Sequence, residues 1–182
     1  WALKQDGPVA LRYARDKGPV IGPEGNRDIT RGQMLREGRD ATFLGVGPIV
    51  AKCLLAAEAL EEFGFSVGVA DARFVKPLDA ELLETLSALP IITAEENTLE
   101  GGFGAAVLEH FETLGRLGDV RVKRVGVPDR FLYHATRAEQ LEDGDFQQRV
   151  IQRVVAAQRE EPADESDDDK GACRRGREHP QV

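Results

Sequence analysis

The chain has 182 residues, 41% of them hydrophobic and 31% charged, with a formal net charge of −8 and a pI near 5.0. That length suits one domain of ordinary size plus extensions. The acidic balance argues against a general nucleic-acid or anionic-membrane binder, which needs clustered Lys and Arg, and no stretch nears the ~18 consecutive apolar residues of a membrane helix.

Residues 8–13, with Val9, Leu11 and Tyr13, read as a short strand whose partners lie elsewhere. Residues 14–31 are dense in turn signals such as Gly18-Pro19, Gly22-Pro23 and Gly25-Asn26. Residues 1–20 are therefore expected to end a preceding domain, with a linker at 21–31. Residues 33–36 read as a short strand and 41–46 as an apolar one. Residues 49–63 place Ile49, Val50, Cys53, Leu54, Ala57 and Leu60 at helical spacing, with Gly64 as the stop. A strand at 67–72 leads to a helix at 80–86, with Asp79 as its cap. A strand at 90–95 leads through a loop to a helix at 103–117. Residues 120–125 alternate apolar and basic, a strand with one wet face. Thr136 and Glu139 form a capping box for a short helix at 136–141, and a last helix runs from 146 to about 159. Residues 161–182 carry almost no apolar content and are expected to be a disordered charged tail.

Alternating strands and helices predict a mostly parallel α/β sheet covered on both faces. In such sheets, ligands bind beyond the carboxyl ends of the strands. Arg73 stands at such an end, and its planar fork of donors suits phosphate or carboxylate. The structural alternative is an ion pair with Asp71 or Asp79. Glu95, Glu96 and Asn97 fall on the same edge; paired carboxylates can do acid/base work, or they pair with Arg. Gly101-Gly102-Phe103-Gly104 either cradles a phosphate at a helix start or permits tight backbone packing. It lacks the full dinucleotide fingerprint and any P-loop Lys. His134 could serve an acid/base or polar-interface role at the site's edge, or be a satisfied structural histidine, while His110 and His179 have no partners. Cys53 and Cys173 make neither a disulfide framework nor a metal site, which fits a reducing cytoplasm. Trp1 to Gly7 has no signal-peptide layout and Met34 is the only methionine, so the chain is expected to begin inside a longer polypeptide.

Four blocks in order carry a resemblance: Asp71-Ala72-Arg73-Phe74-Val75-Lys76-Pro77-Leu78-Asp79, Thr93-Ala94-Glu95-Glu96-Asn97, Gly101-Gly102-Phe103-Gly104-Ala105-Ala106-Val107-Leu108-Glu109 and Gly126-Val127-Pro128-Asp129-Arg130-Phe131. Together they resemble the C-terminal domain of the 1-deoxy-D-xylulose-5-phosphate synthase family. The resemblance implies a Rossmann-like three-layer domain over residues 32–160, with about five strands and one antiparallel, a role suited to residues 33–36. It implies a thiamine-diphosphate and Mg²⁺ enzyme of the transketolase type, condensing pyruvate with glyceraldehyde 3-phosphate and releasing CO₂. It also implies a cytoplasmic homodimer feeding isoprenoid and thiamine biosynthesis. Arg73 matches the family arginine expected to contact the aldehyde's phosphate. The catalytic groups and cofactor site belong to the preceding thiamine-binding domains, so no catalytic residue, metal site or bound cofactor is expected here, and the fragment alone should be inert. Tyr13-Ala14-Arg15-Asp16 departs from the family's Tyr-Pro-Arg-Gly, and Tyr133-His134-Ala135 from its Glu-His-Gly. A transketolase, a 2-oxo-acid dehydrogenase β subunit and a pure assembly module are the alternatives.

Overall fold

A computed structural model describes residues 1–13, 30–131, 134–137 and 139. The expected linker turns, the helix at 146–159, the charged tail and Arg15 lie outside the described residues.

Among the described residues, the complete strands and α-helices follow in order: β1 (Gln33–Arg36), β2 (Ala41–Gly45), α1 (Ile49–Glu61), β3 (Val67–Asp71), α2 (Ala80–Leu86), β4 (Ile91–Thr98), α3 (Phe103–Thr113) and β5 (Val122–Val127). The strand order is β1-β3-β2-β4-β5. β1 runs antiparallel to β3, and the remaining pairs are parallel. The expected odd strand is thus the antiparallel one.

Strand alternation sorts the core into two clusters. Phe43, Val67, Val69, Ile92, Ala94 and Val125 face α1 through Ile49, Val50, Cys53, Ala57 and Leu60. Leu44, Ala70 and Ile91 face α2 and α3 through Leu83, Leu86, Phe103, Val107 and Phe111. The result is a three-layer α/β sandwich, with α1 on one face and α2 and α3 on the other. Each fully buried Val, Leu, Ile or Phe contributes about 1.5–3 kcal/mol.

α1 stops where Gly64 takes a φ of +85°. Gly64 N–H bonds the Glu61 carbonyl and Phe65 N–H bonds that of Leu60, while Phe65 packs onto the α1 cluster. This is the left-handed glycine stop that Gly64 promised. α3 ends four residues short of the expected 117. Gly115 N–H turns back to the Glu112 carbonyl and Arg116 N–H to that of Phe111.

Two strand expectations need correction. Residues 8–13 are not a strand, and Val9, Leu11 and Tyr13 lie exposed. The segment joins no strand of this sheet; the partners expected for it belong to a preceding domain. β4 runs through Glu96 and Asn97 to Thr98, and β5 continues through Gly126 to Val127. A register shift after Ala94 lets Thr98 pair with Val127. Gly126 makes this possible: a Cβ there would stand 2.9 Å from the Asn97 carbonyl oxygen.

Candidate functional site at the carboxyl edge

β2, β3, β4 and β5 all end on one edge. Gly45, at the end of β2, lies level with Asp71 on one side and Ala94 on the other. Arg73 and the Glu95-Glu96 pair therefore flank the end of β2, about 10 Å apart at two strand spacings. α1 leaves β2 toward one face and α3 leaves β4 toward the other. Between those two strand ends lies the topological switch point of the sheet, the usual ligand crevice of α/β folds.

Arg73 has a φ of +55°, alone among the described non-glycine residues in the left-handed region. Such a conformation costs on the order of 1–3 kcal/mol. Asp71 helps to hold it: one carboxylate oxygen accepts the Arg73 N–H at 3.1 Å, and the other lies 3.6 Å from Nε. Nη2 donates to Gln33 Oε1 at 2.7 Å and Nη1 to the Arg31 carbonyl at 3.2 Å. The side chain keeps 16% of its surface exposed. The ion pair expected with Asp71 is thus present, through Nε and beside the backbone contact. Asp79 has separate work. Its oxygens accept Leu82 N–H at 3.1 Å, capping α2 as expected, and Gly32 N–H at 3.0 Å.

Glu95 is buried, with 2% of its surface exposed. Its oxygens accept the Phe103 and Gly104 amides at 2.7 and 2.8 Å. The start of α3 is therefore filled by an anion from its own chain, and the phosphate-cradle alternative for Gly101–Gly104 gives way to close packing. A Cβ on Gly102 would stand 2.4 Å from Glu95 Oε2, and one on Gly104 would stand 2.4 Å from Thr93 Oγ1. Burial pushes the Glu95 carboxyl above the ordinary carboxylate range, against the pull of the two amides and of the Arg124 and Arg12 charges. Successive strand side chains point to opposite faces, so Glu96 turns away from α3. It makes a two-pronged contact with Arg137, one prong being Arg137 Nε to Oε2 at 2.8 Å. The adjacent carboxylates are thus separated onto two partners rather than joined as a dyad.

Asn97 and His134 are exposed. His134 sits three residues before Arg137, and the Thr136–Glu139 capping box is formed: the Glu139 carboxylate accepts from both the Thr136 N–H and hydroxyl, at 2.8 and 2.7 Å. Arg137 and Arg124 were not singled out in the sequence. Arg124 donates to the Leu99 carbonyl at 2.6 Å and lies beneath Gly104. Both contacts span more than twenty residues and leave no local pattern to read.

Among the described residues, no group of three or more His, Cys, Asp or Glu side chains is placed to hold a metal ion. With the Phe103 and Gly104 amides taken by Glu95, these residues do not fit a diphosphate–Mg²⁺ site. Cys53 is buried, and burial pushes its thiol up to about 12. No helix among the described residues is long and apolar enough to cross a membrane.

Comparison with known proteins defines the class first. Residues 30–151 match the family described as transketolase, C-terminal domain, and the chain belongs to that family. A split-gene transketolase solved as an inactive β4 tetramer shares the fold, with a TM-score of 0.69 and 34% identity over 80% of this chain and 48% of that one. A transketolase from Pichia stipitis matches in fold, with a TM-score of 0.57 at 17% identity over 78% of this chain and 20% of that one.

Within the class, curated relatives at 37–46% identity are 1-deoxy-D-xylulose-5-phosphate synthases, which bears out the resemblance carried by the four blocks. That of Magnetococcus marinus is 43% identical over 142 residues, covering 76% of this chain and 23% of that protein. Synthase 1 of Geobacter sulfurreducens is 46% identical over 136 residues, covering 72% of this chain and 21% of that protein. The chain spans less than a quarter of the length of these two relatives.

Proposed function

We propose that this chain is the C-terminal part of a thiamine-diphosphate-dependent enzyme that condenses pyruvate with glyceraldehyde 3-phosphate, releasing CO₂ and forming 1-deoxy-D-xylulose 5-phosphate. The observation that carries the reading is the match to synthases of that name at 43–46% identity. A stabilised carbanion is needed for this carbon–carbon bond formation, and the cofactor supplies it as an electron sink. The cofactor and Mg²⁺ are held by the thiamine-binding domains, and this chain contributes the carboxyl edge that closes against them. Arg73 meets the phosphate of the aldehyde substrate. Its place beside the switch point, its strained backbone and its fixed guanidinium support that role. Glu95 and Glu96 hold the edge together, while Asn97 and His134 face the neighbouring domain.

Dimer formation belongs to the same reading. The assembly-module alternative is favoured by one observation, the similarity to a transketolase chain that forms an inactive β4 tetramer. Both readings leave this chain inert by itself.

Pairing the chain with its thiamine-binding portion and supplying pyruvate and glyceraldehyde 3-phosphate should yield the deoxyxylulose phosphate and one equivalent of CO₂. Transfer of a two-carbon unit from a ketose phosphate, with pyruvate left untouched, would instead assign a transketolase.

A further inference from the structure

We infer that Gln33 and Asp71 are positioning residues that aim Arg73 at the substrate's phosphate, with Gln33 as the determinant of its direction. This rests on the reading of Arg73 as the phosphate contact. The antiparallel strand makes the arrangement. β1 pairs with β3 so that Gln33 stands level with Asp71, two residues before Arg73. The Gln33 amide oxygen then accepts from Nη2 at 2.7 Å. Asp71 grips the other end of the residue, through the backbone N–H at 3.1 Å and beside Nε at 3.6 Å. The Arg31 carbonyl holds Nη1 at 3.2 Å.

Arginine carries about 2 kcal/mol of rotamer entropy, and its fork is useful to a phosphate only when oriented. Two acceptors on neighbouring strands and a third just before β1 remove that freedom before any ligand arrives. A ligand that meets a fixed fork loses less entropy on binding, the usual source of gain from preorganisation. The two supports differ in kind. Asp71 supplies charge and holds the left-handed backbone, so its loss disturbs the local fold. Gln33 is neutral, sits on the edge strand and touches Arg73 through one hydrogen bond, so its loss should act through direction alone.

The test uses the enzyme completed by its thiamine-binding portion, with Gln33→Met, Gln33→Glu, Arg73→Ala and the Gln33→Met/Arg73→Ala double variant. Gln33→Met keeps the bulk and removes the acceptor; Gln33→Glu restores it. Gln33→Met should raise the KM for glyceraldehyde 3-phosphate about five- to tenfold, the reach of one hydrogen bond. The KM for pyruvate, kcat and Tm should stay near wild type. Gln33→Glu should return the aldehyde KM to within about twofold. In the Arg73→Ala background, Gln33→Met should change nothing further, since a positioning residue has nothing left to position. If Arg73→Ala raises the aldehyde KM but Gln33→Met does not, or if the two effects simply add, the positioning role is overturned while the phosphate reading stands. If Arg73→Ala leaves the aldehyde KM unchanged in an active enzyme, the phosphate reading falls and this inference falls with it.

Discussion

Replacing Glu95 with Ala removes the acceptor of both the Phe103 and Gly104 amides. These donors begin α3 inside a closed core, so no solvent takes the place of the carboxylate. A lost N-terminal cap costs about 0.5–2 kcal/mol, and each buried group left unsatisfied costs about 1–3 kcal/mol. The contributions overlap, and a loss of about 2–4 kcal/mol is expected. In a folded body of about 100 residues that lowers Tm by about 10 °C or more. Thermal and urea unfolding of the purified chain, followed by circular dichroism, gives the number. A Glu95→Gln control keeps one acceptor oxygen and turns an NH₂ toward the second amide, so it should fall between wild type and Ala. A Glu95→Ala loss below about 1 kcal/mol would refute the claim that this carboxylate organises the edge. The pH dependence gives a second handle. Burial raises the folded-state value of Glu95 above its unfolded one, so the folded state binds more protons between the two. The stabilisation from this group is complete below the unfolded value and is lost as pH rises through the folded one. Wild type should therefore lose stability relative to Glu95→Gln as pH climbs through and above the ordinary carboxylate range. A change in the opposite sense would refute the assignment.

Asp79→Ala removes the α2 cap and the Gly32 contact together and should cost about 1–2 kcal/mol in urea unfolding; Asp79→Asn and Asp79→Ser should recover part of it. Gly104→Ala brings a methyl into Thr93 Oγ1 and the Arg124 stem, and overpacking of this kind should cost about 1–3 kcal/mol in the same assay. Cys53, with its thiol pushed up to about 12, should resist iodoacetamide in the folded chain at pH 8 and react once denaturant is added, with peptide mass mapping to separate it from Cys173.

Much of this fold could be read from periodicity because the deciding forces are local. Ile49, Val50, Cys53, Ala57 and Leu60 lie on one helical face and bury together. Asp79 precedes its helix by one residue, and Thr136 and Glu139 stand three apart, so both caps are written in adjacent residues. The misreadings have non-local causes. Val9, Leu11 and Tyr13 carry a strand pattern, yet a strand exists only where another edge accepts it. Glu96 and Asn97 look like a loop, but pairing with β5 past a register shift keeps them extended. At the site, the position of Arg73 was legible, because a cation between a strand and a helix must fall on the carboxyl edge. Its anchors were not: Gln33 precedes it by forty residues and meets it only through the antiparallel turn of β1. The occupation of the α3 start by Glu95 was hidden in the same way.

The contacts that fasten β1 also set an order of events. Arg31 pairs with Glu81, Gly32 N–H with Asp79, and Gln33 with Arg73, reaching forty to fifty residues ahead. During synthesis, the first strand of this sheet to emerge has no partner within the sheet until β3 and the start of α2 have followed it. Residues 31–36 thus act as a clasp that is made early and fastened late. In the finished molecule the same clasp should open before the sheet does, with its amides exchanging hydrogen sooner than those of β2 and β4.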